Sequence, residues 1–168
     1  MSIRDDIVAR AKWWAEPGTY APTAWDFLHI CDEAGIVPGP SHADLRYTEA
    51  NLHEGGVQIG GQRKEWCGIF AVAVWAHCGV GAVWTLNYKE YNKNILSAPG
   101  LPFEKRTRRT GIRRGDIAFV NDHKHHFIIT EVNGDLASTV EGNQAKNTIR
   151  TYHLKHLTSV TAYYTVLD

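Results

Sequence analysis

The sequence predicts an α+β protein, because the spacing of its apolar residues changes along the chain. In the first half, apolar residues recur at helical spacing behind polar capping residues. In the second half, short segments rich in β-branched and aromatic residues alternate with turn residues. Helices followed by a run of strands are typical of a helical layer packed on an antiparallel sheet.

The length and regularity of the chain favour a single domain. A chain of 168 residues can bury one core, and we find no repeat, low-complexity tract or linker. We expect one domain over 1–168, with a helical part over about 1–55 and the core of the fold over about 56–168.

Composition excludes several classes of protein. Eighteen basic and eighteen acidic side chains cancel, which argues against a dedicated nucleic-acid binder. No apolar run reaches the roughly 18 residues of a membrane-spanning helix, and the charged start, Met1–Asp6, lacks the apolar segment of a secretory signal peptide. Three cysteines, Cys31, Cys67 and Cys78, have no metal-type spacing, and their odd number argues against a disulfide framework.

Helices in the first half are predicted from their capping residues. The first begins at a capping box opened by Ser2 and ends at Pro17–Gly18. The second begins at Thr23 and has Gly35 at its carboxyl end. Residues 41–52 are expected to form a further short helix.

A third helix is predicted from Cys67 to near Gly79, after a glycine-bearing polar loop over residues 53–65. It has almost no polar face, which is typical of a central, buried helix. A cysteine at its start has its sulfur near unpaired N–H groups and the positive end of the helix dipole, and both favour the reactive thiolate. Cys67 is therefore a candidate nucleophile, whereas Cys31 and Cys78 fall within apolar patterns and are expected in the core.

Strands in the second half are predicted to form an antiparallel meander. They cover residues 116–120, 126–132, 136–141, 148–154 and 160–166.

Polar residues at the ends of two of these strands supply partners for a thiol nucleophile. Such a nucleophile needs a base, usually histidine, and the histidine needs a carboxylate or amide to fix its ring. Cys67, His126 and either Glu141 or Asn143 provide these groups in chain order. His125 is the alternative base. We prefer His126 because it adjoins the apolar residues of its strand, whereas His125 would point to the other face.

Four blocks together resemble the CHAP family of cysteine amidases and peptidases, a branch of the papain-like group that also holds the NlpC-type enzymes. The blocks are Trp66–Phe70, Gly115–Phe119, His126–Ile129 and Val140–Asn143. Their order and spacing carry the resemblance, which covers roughly residues 60–145.

The resemblance implies a papain-like fold in which the buried helix bears the nucleophile and packs on the antiparallel sheet. It also implies hydrolysis of an amide bond of bacterial peptidoglycan, between glycan and stem peptide or within the peptide, without a metal or organic cofactor. The family's cysteine matches Cys67, its histidine matches His126, and its Glu-x-Asn pair matches Glu141 and Asn143. The family often has a small residue where this chain has Ile128, which predicts a narrower cleft.

A peptidoglycan substrate and the missing signal peptide together favour a phage lysis protein or an effector exported by a dedicated secretion machinery. Such a protein would act at the cell wall or in the periplasm, and an immunity protein is then a candidate partner. Two other functions stay open. One is a cysteine peptidase or acyl-transferase acting on proteins, and the other is a non-catalytic binding module on the same fold.

The remaining polar motifs have simpler interpretations. The histidine-rich segment Asp122–His126 is an alternative metal site, but the intervening lysine argues against it. Basic residues over 105–114 are expected in a solvated loop, or alternatively attract an acidic polymer. Asp116 is expected to fix its turn, and Gln62 is a candidate second oxyanion donor beside the Cys67 N–H.

The six tryptophans divide into two groups by position. Trp13, Trp14 and Trp25 fall on helix faces and are expected in the core. Trp66 and Trp84 are candidates to line a cleft.

Overall fold

Three α-helices, one short 3-10 helix (Leu157–Ser159) and nine strands are present in the part of the chain that a computed structural model describes. This part comprises residues 2–16, 18–35, 57–59, 62–64, 66–82, 100–120, 125–144 and 148–168. The helices are α1 (Ile3–Trp14), α2 (Ala24–Glu33) and α3 (Cys67–His77). The strands are β1 (Thr19–Tyr20), β2 (Val57–Ile59), β3 (Gln62–Lys64), β4 (Phe103–Arg106), β5 (Ile117–Val120), β6 (His125–Asn133), β7 (Leu136–Gln144), β8 (Thr148–His156) and β9 (Val160–Val166).

Seven of these strands form one antiparallel sheet in the order β1-β8-β7-β6-β5-β9-β4, so the predicted α+β class is confirmed. The five strands expected from the sequence are all present, and β7 and β8 run a few residues further than predicted. The short edge strands β1 and β4 were not predicted from the sequence. The β2–β3 hairpin was not predicted either, and it lies where a polar loop was expected before Cys67.

The predicted helix ends are confirmed by their hydrogen bonds. Ser2 and Asp5 form a capping box on α1, and Thr23 and Asp26 form a second one on α2. Gly35 follows α2 in the left-handed conformation, with φ of 71°. The short helix predicted over 41–52 lies outside the described residues.

The core lies between α3 and one face of the sheet. Every residue from Cys67 to Trp75 is buried, as the absence of a polar face predicts. Ile128 pairs with Val140 and Ile117 across the central strands, and all three pack in this core. Ile128 is therefore a core residue under the helices, which corrects the expectation that it narrows a cleft.

Close approach of the sheet to α3 depends on Gly142. A methyl group at this position would stand 2.9 Å from atoms of both Phe70 and Trp66, closer than side chains normally pack. Trp66 is fully buried here and packs edge-to-face on Phe27 at 5.4 Å. It therefore belongs to the core and does not line a cleft, contrary to the prediction.

The other tryptophans follow the prediction only in part. Trp14 is 3% exposed, as expected for the core, but Trp13 is 58% exposed and lies on the surface. The side chain of Trp25 and the whole of Trp84 are outside the described residues. Of the two other cysteines, Cys31 is buried and Cys78 is half-buried.

A buried arginine fastens α1 to the sheet. Arg4 is 6% exposed, and its guanidinium donates to Asp116 at 2.6 Å, to the Val166 carbonyl at 2.7 Å and to Asp168 at 2.9 Å. Asp116 also accepts from the Arg113 N–H at 2.8 Å, so its predicted role in fixing the turn is confirmed. Burial raises the pKa of Asp116 more than these donors lower it.

The basic segment over 105–114 begins in β4 rather than in a loop. Several of its arginines pair with carboxylates, including Arg106 with Glu104, Arg113 with Asp168, and Arg114 with Asp5. None of the helices described here is long and apolar enough to span a membrane.

Candidate active site

Cys67 is the first residue of α3 and lies where strand β6 begins. It is 3% exposed, and its sulfur accepts a hydrogen bond from the backbone N–H of His126 at 3.5 Å. Helix geometry leaves the first N–H groups of α3 without intrahelical acceptors, and Trp66 at the N-cap provides no side-chain cap. The sulfur and the space beside it therefore lie in a field of backbone donors that favours negative charge.

The imidazole beside this sulfur belongs to His125. Its Nε2 lies 2.6 Å from Oε2 of Glu141, and the ring also hydrogen-bonds the Cys67 side chain. Burial lowers the pKa of His125, but the hydrogen bonds and negative charges of Cys67 and Glu141 outweigh burial and raise this pKa to about 9. The ring is thus protonated at neutral pH and joins the Cys67 side chain to a carboxylate.

The structure therefore places the ring of His125, the alternative to His126, between Cys67 and Glu141. His126 points to the same side of the strand as Ile128, and its ring packs beside Phe119 at 5.4 Å between centroids. Glu141 follows Val140, the cross-strand partner of Ile128, so its side chain points to the opposite face, where His125 also points. The backbone N–H of His126 donates to the sulfur.

Glu141 is held by donors on both carboxylate oxygens. His125 and the Gln144 amide lie 2.6 and 3.3 Å from Oε2, and Thr139 Oγ1 and Lys155 Nζ lie 2.6 and 2.5 Å from Oε1. Burial raises the pKa of Glu141, but His125, Lys155 and Thr139 together outweigh burial and lower it. A charged carboxylate is therefore fixed in one orientation against the histidine ring.

Lys155, Gln144 and Tyr152 complete this network, and none of them was predicted from the sequence. Lys155 crosses the Phe127 ring at 4.0 Å on its way to Glu141. The Tyr152 hydroxyl donates to Gln144 Oε1 at 2.8 Å. Lys155 and Tyr152 come from β8, so only the pairing of β7 with β8 reveals them. Thr139 was within reach of sequence reasoning, since it shares a strand face with Glu141.

Asn143 lies at an irregularity of β7. The β7–β8 register shifts between Glu141 and Gln144, and Asn143 there has a φ of 55°, a left-handed conformation that asparagine tolerates. In a regular strand, Gln144 would point to the face opposite Glu141. The extra residue of this bulge brings Gln144 to the same face as Glu141. The structure thus brings Cys67, His125 and Glu141 together, with Asn143 shaping the strand.

Other predicted site residues fall partly outside the description. The side chain of Gln62 and residues 121–124 of the histidine-rich segment are not among the described groups. In the part of the chain that is described, no cluster of three or more His, Cys, Asp or Glu side chains is arranged to hold a metal ion.

Comparison with known proteins identifies a similar fold. The chain matches no protein-family model and no curated protein. It is similar to the crystal structure of Ly7917 with the hydrolyzing product of MDP, at 12% identity and a TM-score of 0.50 over 98% of this chain and 63% of that chain. A second crystal structure of Ly7917 has 11% identity, a TM-score of 0.47 and coverage of 99% and 63%. This chain thus spans less than two thirds of the Ly7917 chain, and what the two share at this identity is the fold.

Proposed function

We propose that this protein is a papain-like cysteine hydrolase that cleaves an amide bond of bacterial peptidoglycan. One observation carries the proposal, namely the hydrogen-bonded chain from Cys67 through His125 to Glu141 at the start of a buried helix. A thiol, an imidazole and an orienting carboxylate are the three groups that nucleophilic catalysis on an amide requires.

Two further findings support peptidoglycan as the substrate class. The motif blocks around Cys67 and Glu141 resemble the CHAP family, whose members act on this polymer. Ly7917, which has a similar fold, was crystallised with the hydrolyzing product of MDP, and MDP is a peptidoglycan fragment.

The first half of the reaction forms a thioester. Because Glu141 engages Nε2 of His125, the other ring nitrogen, Nδ1, faces the thiol and holds the proton that leaves Cys67. The sulfur attacks the amide carbonyl, and backbone N–H groups at the start of α3 stabilise the oxyanion. His125 then gives its proton to the departing nitrogen, the C–N bond breaks, and an acyl group remains on the sulfur.

The second half restores the enzyme with one molecule of water. His125, now neutral, takes a proton from the water as its oxygen attacks the thioester carbonyl. The C–S bond breaks, the acyl group leaves as a carboxylic acid, and the sulfur returns to its ion pair with the ring. Glu141 keeps the ring oriented in both halves, because three donors besides the ring hold its oxygens in place.

The route to the substrate is part of the same proposal. The protein would act at the wall after phage lysis or after export by a dedicated machinery, and an immunity protein would block the site in a producing cell.

The decisive experiment compares single cysteine variants on purified cell walls. Wild type and Cys78→Ala should both release the same muropeptides with a new amino group, as measured by mass spectrometry, while Cys67→Ala should lose activity by at least a thousandfold. Cys78 is the matched control because it is also a free cysteine of this chain. Hydrolysis that survives Cys67→Ala rejects the nucleophile, and cleavage of unfolded proteins in place of cell walls rejects the substrate class.

A further inference from the structure

A groove on the surface between α1 and α2 is lined by two tryptophans, a tyrosine and two carboxylates. Trp13, Trp14, Glu16, Tyr20 and Asp26 enclose a volume of about 350 Å³. This size falls within the range of small-ligand sites. The mechanism proposed above uses none of these residues.

We infer that this groove binds the glycan strand of peptidoglycan, with N-acetylated sugar rings stacked on Trp13. The inference rests on the proposed function and adds a subsite to it. Pyranose rings present an apolar C–H face together with hydroxyl and acetamido groups, which suits aromatic surface bordered by a few polar groups.

Trp13 supplies the stacking surface. It is 58% exposed, an uncommon state for the largest apolar side chain, and it meets Trp14 edge-to-face at 5.0 Å. Trp14 in turn lies 6.1 Å from Tyr20, so the aromatic lining is continuous across the groove.

Trp14 adds a buried indole N–H to the lining of the groove. Its indole N–H is buried and has no hydrogen-bond partner among the residues that the structure describes. A buried donor without a partner costs free energy, and an acetamido carbonyl or hydroxyl oxygen in the groove would satisfy it. An ammonium group, which only donates, would not.

Charges around the groove favour a neutral ligand over a cationic peptide. The Arg10 guanidinium lies 4.5 Å from the Trp13 ring centroid and 5.4 Å from that of Trp14, so a cation is already seated on the aromatic surface. A second cation there would meet like charge. Glu16 and Asp26 can accept hydrogen bonds from sugar hydroxyls, while the Tyr20 hydroxyl stays protonated and donates to Asp26 at 2.6 Å.

Strand pairing connects the groove to the candidate active site. Thr19, beside Tyr20, pairs with Arg150, and Arg150 pairs with Glu141. Two interstrand spacings therefore separate the backbone of β1 from that of Glu141, a span of about 10 Å. The groove therefore lies at the β1 edge of the sheet, two strands from the strand that carries Glu141.

The test measures binding of peptide-free β-1,4-linked N-acetylglucosamine oligomers by isothermal titration calorimetry. Cys67→Ala protein should bind the hexamer saturably. Adding Trp13→Ala should weaken binding at least tenfold, and Trp14→Phe, which keeps the ring but removes the N–H, should weaken it several-fold. Leu167→Ala, an exposed apolar control at 52% exposure, should leave binding unchanged.

Failure of this inference and failure of the proposed function have different signatures. The groove assignment is overturned if the hexamer does not bind, if Trp13→Ala binds it as tightly as the parent, or if isolated stem peptide competes for the groove. Oligomer binding without any hydrolysis of cell walls would retain the groove and reject the hydrolase. In an active enzyme, Trp13→Ala should raise KM for whole walls and leave KM for a short stem peptide unchanged.

Discussion

Replacing Glu141 with glutamine is expected to lower the pKa of His125 and to narrow the pH range of activity. Glutamine keeps the shape of the side chain and one oxygen for the ring N–H, but it removes the negative charge. The substitution therefore isolates the electrostatic part of the Glu141 interaction.

The size of the effect follows from the environment of the ring. The pKa of His125 is about 9 compared with an ordinary 6.5, and this difference corresponds to about 3 kcal/mol at about 1.4 kcal/mol per unit. Cys67 and Glu141 share that stabilisation. Without the carboxylate, the Lys155 ammonium also loses its partner at 2.5 Å and disfavours a second positive charge. We expect the pKa of His125 to fall by about one to two units.

The assay is the pH dependence of kcat/KM on a defined peptidoglycan fragment. His125 must carry its proton to release the amine, so activity should decline as pH rises through the pKa of His125, near 9 in the wild type. In Glu141→Gln this alkaline limb should move down by about one to two units. Adding Lys155→Met should move it part of the way back, because the unpaired cation is gone. Glu131→Gln, an exposed carboxylate on β6, is the control.

The free energy of unfolding should also depend on pH, because the pKa values of His125 and Glu141 differ between the folded and unfolded states. The raised pKa of His125 contributes stability that is fully present below about pH 6.5 and is lost as pH rises through about 9. The lowered pKa of Glu141 contributes stability that is present above its ordinary value of 4.5 and is lost as pH falls through the folded-state value. Glu141→Gln should flatten both dependences in urea unfolding.

In the activity assay, an alkaline limb of kcat/KM that stays at the wild-type position in Glu141→Gln would refute the coupling between Glu141 and His125.

Two further outcomes are expected from neighbouring positions. His125→Gln should reduce kcat at least a hundredfold. His126→Gln should retain most of it, because a backbone N–H, which the substitution keeps, makes the bond from residue 126 to the sulfur. Equal losses in two folded variants would contradict this. Gly142→Ala should destabilise the fold by about 1–3 kcal/mol through overpacking of two buried aromatic side chains. Urea unfolding measures that loss, with Ser138→Ala on the same strand as a near-neutral control, and a similar midpoint in both variants would contradict the close packing.

Local signals predicted most of the fold. The caps at Ser2 and Thr23 and the apolar run after Cys67 each depend on residues close in sequence. The three α-helices among the described residues follow from them. The strand Val160–Val166 was likewise readable from its β-branched and aromatic residues. The short strands β1 and β4 were missed because their pairing partners, and not their own composition, make them strands.

The candidate site was predictable in its chemistry but not in its register. Cysteine, histidine and glutamate could be selected by type and order, whereas the choice between His125 and His126 depends on which face of β7 carries Glu141. Lys155 was hidden for the same reason, since it reaches Glu141 from another strand. Trp13 lies on the surface because another side of α1 meets the sheet. That inner side carries the buried Arg4, so the charges along the helix did not indicate which side is exposed.

The attachment of α1 through Arg4 also has a consequence for the order of folding. The helix is stabilised by local bonds and can form early, but its guanidinium must wait for Val166 and Asp168, which lie up to 164 positions away along the chain. Contacts of such long separation carry the largest loop-closure entropy and tend to form last. During synthesis α1 would therefore remain undocked until β9 has joined the sheet, so the aromatic groove on this helix would be the last surface of the molecule to take shape.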